Sequence, residues 1–231
     1  MLLLPGMVFA QEVARVFEVS ISATQLPTNE TFYRARTLLS IVWKEVERRF
    51  VVENGVEATE ADFAALAEYT QAVRKARLDY YVREVAEAEA GLQSPWLALP
   101  WYGDKRRREL EMRKTSFQGL VENWKNFPPP TGRSPERIVA AKAQKLMYDK
   151  YGGVVGINLG GDPYPLGARM ALLRKHEQAG ELRIMDGALR EMFWQLAERP
   201  AERLAKPAEI DFTYFWLKPV PKRYSDPKNA P

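Results

Sequence analysis

Apolar residues recur at steps of three and four through residues 29–53. Phe32, Ala35, Leu38, Leu39, Val42, Trp43, Val46 and Phe50 form one broad stripe, which predicts an amphipathic helix. A second stripe, Phe63, Leu66, Thr70, Val73, Arg77 and Tyr80, predicts a helix over residues 60–90 whose alanine- and glutamate-rich end stops at Gly91. Between the two, Asn54-Gly55 supplies a left-handed stop, because glycine has no Cβ to clash in that conformation. Thr59 is a suitable N-cap, and Glu60 and Asp62 place negative charge on the free amides of the following turn.

A third helix is predicted over residues 104–126, with Leu110, Phe117, Leu120, Val121 and Trp124 facing inward. It is preceded by a break, LQSPWLALPWYG, and terminated by Pro128, Pro129 and Pro130, which cannot extend a helical hydrogen-bond ladder. Ser134 as cap and Pro135 at the first helical position open a fourth helix ending at Gly152 and Gly153. Pro165 opens a fifth, which ends near Gly180, and Asp186 caps a sixth over residues 187–198. The alternation in residues 13–26 fits a short strand or extended arm, and GGVVGINLGG fits a small strand or loop. Leu182 to Met185 reads as extended, and Ile210 to Leu217 as a late strand or a packing arm. The predicted class is mainly α, a multi-helix orthogonal bundle with one or two short β segments in the C-terminal half. Its predicted parts are a helical region over 11–127, a proline-rich hinge at 128–134, a helical region with short strands over 135–217, and a disordered tail at 218–231.

Composition narrows the function classes. With 231 residues and 46% hydrophobic content the chain can bury a substantial core. Its 34 basic and 30 acidic side chains leave a charge of +4, and most alternate in sign at helical spacing, so nucleic acid is not an expected partner. The local exception is the run Lys105 to Arg108, reinforced by Arg113 and Lys114; it reads as a solvated first turn, although cations there oppose the helix macrodipole. The absence of cysteine excludes thiolate-bound zinc and iron–sulfur clusters and agrees with export. Residues 1–10, MLLLPGMVFA, are apolar and end in Val8-Phe9-Ala10, which suits cleavage after Ala10. No cation precedes them, so they read as the remnant of a signal peptide, and the expected location is periplasmic or secreted. No apolar run approaches the ~20 residues needed to span a bilayer, so stable membrane insertion is not expected.

The turn Gly55-Val56-Glu57-Ala58-Thr59-Glu60-Ala61-Asp62, set between two helices, resembles the G-[IV]-x-[AP]-T-x-x-[DE] turn of the N-terminal helical region of SurA-type periplasmic chaperones and their parvulin-containing relatives. The resemblance covers residues 13–90. It implies a protein that holds unfolded or extended segments of other exported proteins without ATP. The later order of YGG, short strand, proline-opened helix, Gly180 and short strand is loosely similar to a parvulin prolyl isomerase domain. That family uses histidines near the peptide, whereas this chain has one, His176, and no closing G-x-H strand. Isomerase activity would belong to a degenerate domain. An envelope adaptor with one dedicated protein partner is the third reading.

Other chemistry fails at the level of motif. YGGVVGINLGGDP has no following Gly-Lys-Ser/Thr, so it lacks the lysine and hydroxyl of a phosphate loop. A single histidine cannot build a two-histidine metal site, and His176 reads as a surface or helix-capping residue. No catalytic residue, metal or cofactor is expected. The candidate peptide contacts are aromatic, because aromatic side chains bury much area at low entropic cost. They are Trp96, Trp101, Tyr102, Phe117, Trp124, Phe127, Trp194 and Trp216, which crowd the proline-rich segments and helix ends.

Overall fold

The Asn54-Gly55 stop and the Thr59 cap both form. The computed structural model of the protein describes residues 11–26, 29–99, 103–126, 134–158, 162–199 and 203–225. Helix α1 (Thr31–Glu53) is followed by Gly55, whose φ of 58° is left-handed. Helix α2 (Glu60–Leu92) opens with the Thr59 hydroxyl accepting from the Asp62 amide at 3.2 Å, while the Asp62 carboxylate accepts from the Thr59 amide at 2.9 Å. This reciprocal pair satisfies two otherwise orphaned donors. Contrary to the sequence expectation, α2 runs through Gly91. Glycine costs a helix interior only about 1 kcal/mol against alanine, and a Cβ at Gly91 would sit 3.0 Å from a Leu110 methyl.

The remaining helices are α3 (Gly103–Asn126), α4 (Pro135–Tyr151), α5 (Leu166–Gln178), α6 (Gly187–Ala197) and the short α7 (Lys222–Ser225). The strands are β1 (Glu12–Val16), β2 (Val19–Ser22), β3 (Gly156–Ile157), β4 (Pro163–Tyr164), β5 (Leu182–Ile184) and β6 (Arg203–Leu204). The protein is mainly α, with a few short strands. It divides into two compact units, each made from two separated stretches of chain: residues 1–57 with 136–212, and residues 58–135 with 213–231. The expected division at a hinge over 128–134 differs from this, and residues 127–133 lie outside the described part. The helices joined by the Asn54-Gly55 turn belong to different units.

In the first unit, β1 is the centre of an antiparallel sheet in the order β2-β1-β5. The β1–β2 register shifts between Glu12 and Ala14, and both Val13 and Ala14 are buried where strict alternation would expose one of them. The connecting turn puts Phe17 at φ 52°, an uncommon conformation for an aromatic residue. It is held by the Phe17 amide donating to the Glu181 carbonyl at 2.7 Å and by the ring meeting His176 edge-on at 4.9 Å. The stripe of α1 is covered by α6, α5 and β1, so Leu38, Val42, Val46 and Phe50 join Val16, Leu172, Leu182, Leu189 and Phe193 in one core. Full burial of side chains of this size contributes about 1.5–3 kcal/mol each. The glycine-bounded segment forms a second small sheet in the order β4-β3-β6. Pro165 serves as the N-cap of α5, which starts at Leu166.

In the second unit, α2 and α3 run antiparallel: Arg74 donates to the Trp124 carbonyl, Arg113 to Glu84, and Leu110 packs beside Ala88. The buried face of α2 includes Leu66 and Tyr80, continued by Glu84 and Ala88, whereas Leu120 of α3 is exposed instead of facing inward. Residues 210–217 form no strand. Their end is a 3₁₀ turn, Phe215–Leu217, with Phe215 edge-on to Tyr69 at 5.6 Å. The segment read as a disordered tail contains α7, where Tyr224 stacks 4.7 Å from the Arg77 guanidinium.

Candidate functional site

The corner where α2 gives way to α3 is shaped by two glycines and a proline. Gly91 admits Leu110, and Pro95 starts a 3₁₀ turn, Pro95–Ala98, that pushes Leu97 into a small cluster with Ala88 and Leu110. Gly103 then lies against the backbone of that turn: its amide donates to the Leu99 carbonyl at 2.7 Å, and an added Cβ would fall 2.1 Å from the Leu97 carbonyl oxygen. No other residue type fits so close an approach. The result is an open pocket of about 450 Å³ between Gly91, Ser94, the 3₁₀ turn and Leu110, within the range of ligand sites. Leu97 and Leu110 form its apolar floor, and Trp96 (70% exposed) and Leu99 (40% exposed) stand at its mouth. Among the described lining residues, Arg106 is the one charged side chain.

The described aromatic candidates fall in both units: Trp194 in the first, and Trp96, Phe117, Trp124 and Trp216 in the second. Among the described candidates, only Trp96 lines this pocket. Phe117 and Trp124 are half-buried in the α2–α3 seam, with Phe117 edge-on to Tyr80 at 5.8 Å and the Arg77 guanidinium 5.4 Å from the Trp124 ring. Trp216 is buried and stacks on Tyr214 at 4.9 Å. Trp194 is buried in the other unit, edge-on to Phe193 at 5.3 Å. Trp194 and Trp216 are buried in the packing of their own units, whereas Phe117 and Trp124 keep part of their surface exposed. Trp101, Tyr102 and Phe127 lie outside the described residues. Leu97, Leu99, Leu110 and Arg106 were missed as pocket residues; their signal was the proline-flanked leucines running directly into the basic cluster.

Trp194 also marks a polar cluster. Its Nε1 donates to the Glu177 carboxylate at 3.0 Å, which accepts from Arg190 Nε at 2.9 Å, while the Arg174 guanidinium lies 3.6 Å from the indole centre. Partial burial alone would raise the Glu177 pKa, but the hydrogen bonds from Trp194 and Arg190 and the charges of Arg190 and Arg174 hold it below the usual range. A carboxylate depressed in the folded state contributes stability above its unfolded pKa, near ~4.3, and loses it as pH falls through the folded value. Glu177→Gln is therefore expected to cost about 1–3 kcal/mol at pH 7. In urea titrations the gap to wild type should shrink as the pH drops below ~4. A gap independent of pH would mean that Glu177 acts through shape alone.

A second cavity, about 220 Å³, lies in the first unit among the C-terminal ends of α1, α4 and α5. His176 lines it, and here the structure corrects the expected surface position: the ring is only 4% exposed, with Nδ1 2.8 Å from the Glu181 carboxylate. Lys150 bonds Asn54 across the cavity, and Lys150 and Lys175 occupy the last turns of α4 and α5, where positive charge offsets the macrodipole. Two of these helix ends, those of α4 and α5, are thus cation-capped, and no serine, threonine or cysteine occurs among the described lining residues. Among the described residues no cluster of three or more metal-ligating side chains occurs, and no helix is long and apolar enough to cross a membrane. No protein-family model matches the chain, and no curated protein or solved structure is significantly similar to it.

Proposed function

We propose that this chain is a chaperone-like polypeptide-binding protein. It holds apolar parts of extended chains at the α2–α3 corner, without ATP and without a covalent step. The observation that carries this reading is the solvent-exposed Trp96 beside an apolar pocket built on Leu97, Leu99 and Leu110. An isolated exposed indole is ordinary, but one poised over a pocket of about 450 Å³ has a place for a partner side chain. An extended segment would insert one apolar residue and lie across the indole, an anchor of large area and low entropic cost. The turn from Gly55 to Asp62, similar to that of SurA-type chaperones, supports the same reading and suggests exported clients in an envelope setting.

The test combines two assays on the full chain. Aggregation of a denatured outer-membrane protein should be slowed by near-stoichiometric amounts without nucleotide, and Trp96→Ala should weaken the effect. Binding of a single native envelope protein, with no unfolded client bound at about tens of micromolar, would replace this reading with the adaptor.

A further inference from the structure

We propose that the segments taken by this pocket are acidic as well as apolar, and that Arg106, with Lys105, Arg107 and Arg108, selects them. This rests on the binding function proposed above and adds the chemistry of the client.

Three observations converge on it. Arg106 is part of a wall that is otherwise largely apolar, and it makes one intramolecular ion pair, to Glu109 at 3.1 Å, with about half of its side chain exposed. Most of its five N–H donors remain open to a carboxylate, which guanidinium can grip in a bidentate fork. Lys105, Arg107 and Arg108 are exposed beside it and form no ion pair among the described residues. The contrast lies one to two turns further along α3, where Arg113 and Lys114 are committed to Glu84, Glu87 and Glu89 of α2. Helix stability does not account for the four consecutive cations, because positive charge in the opening turns of a helix is unfavourable. Arg106 puts positive charge on the pocket wall, and Lys105, Arg107 and Arg108, spread around the same turns of α3, add to the local positive potential against the acids Asp104, Glu109 and Glu111. An extended chain entering an apolar seat of this kind meets cations on the way, so a leucine or phenylalanine flanked by aspartate or glutamate complements both features.

Fluorescence anisotropy on the full chain tests this with three labelled peptides of equal length and the same central apolar residues, flanked by glutamate, glutamine or lysine. The glutamate peptide should bind about tenfold tighter than the glutamine peptide at low salt, the equivalent of roughly one charge-assisted hydrogen bond. That advantage should fade as the Debye length drops below ~10 Å, above 0.1 M salt. Arg106→Gln, and separately the triple change Lys105→Gln, Arg107→Gln and Arg108→Gln, should each reduce the advantage of the glutamate peptide over the glutamine peptide. Unaltered circular dichroism would establish that these variants fold. Equal affinity for the glutamate and glutamine peptides would overturn the selection while leaving polypeptide binding intact. Failure of all three peptides to bind would remove both readings. Binding of anionic lipid vesicles in clear preference to the glutamate peptide would overturn the inference in favour of a membrane surface.

Discussion

Gly103→Ala is expected to dismantle the α2–α3 corner, with a loss of about 3 kcal/mol or more in stability. The new Cβ would lie 2.1 Å from the Leu97 carbonyl oxygen and 2.8 Å from its carbon. Both are backbone atoms, so no rotamer change relieves the overlap. Either α3 or the 3₁₀ turn must retreat. A retreat would lengthen the 2.7 Å bond from the Gly103 amide to Leu99 and draw Leu97 away from Ala88 and Leu110. Gly119→Ala is the control. It sits on the same helix with nothing within 4 Å of its added Cβ, so it should stabilise by about 0.5–1 kcal/mol through helix propensity. Urea denaturation of the two variants should move in opposite directions, and only Gly103→Ala should lose peptide binding. Equal and small effects would mean that the corner is not packed as described.

Arg113→Leu should cost about 3–5 kcal/mol, because it leaves a buried carboxylate without its partner. Glu84 is 4% exposed, and Arg113 Nε donates to it at 2.7 Å while Nη2 also reaches Glu87 at 3.0 Å. The paired double variant, Glu84→Leu with Arg113→Leu, should recover most of the loss, since replacing both members of a buried ion pair by apolar residues is often near neutral. A double-mutant cycle in guanidinium or urea measures this coupling. A cost below ~1 kcal/mol for Arg113→Leu would place the pair among ordinary surface bridges.

Both variants act at positions whose importance was invisible along the chain. Gly103 looked like one more glycine in a proline-rich break, and Glu84 looked like one more acid on a solvated helix face. The difference is distance: the atoms that matter to Gly103 belong to Leu97 across a turn, and those that matter to Glu84 belong to a different helix. The aromatic residues make the same point. Trp96, Trp194 and Trp216 are chemically alike, yet one is 70% exposed and the others 6% and 4%. The indole side chain itself does not distinguish them; the packing around each one does.

What the sequence determined by itself is the set of helices and where most of them begin and end. Gly55 stops α1 because a left-handed residue must follow, and Gly152 and Gly153, at φ 59° and 87°, do the same after α4. Thr59 and Asp186 start α2 and α6 because each side chain accepts from an amide three residues on, at 3.2 Å and 3.0 Å. These are interactions among close neighbours, so local chemistry suffices to specify them. The tertiary structure decided which elements share a unit: β1 pairs with β5, and α1 packs on α6, although more than a hundred residues intervene. An apolar stripe states that a helix face must be covered, but burial is non-directional and any complementary face can cover it. The pocket beside Trp96 depends on the same non-local choice, since its floor exists only because Leu110 returns on α3 to fill the space left by Gly91.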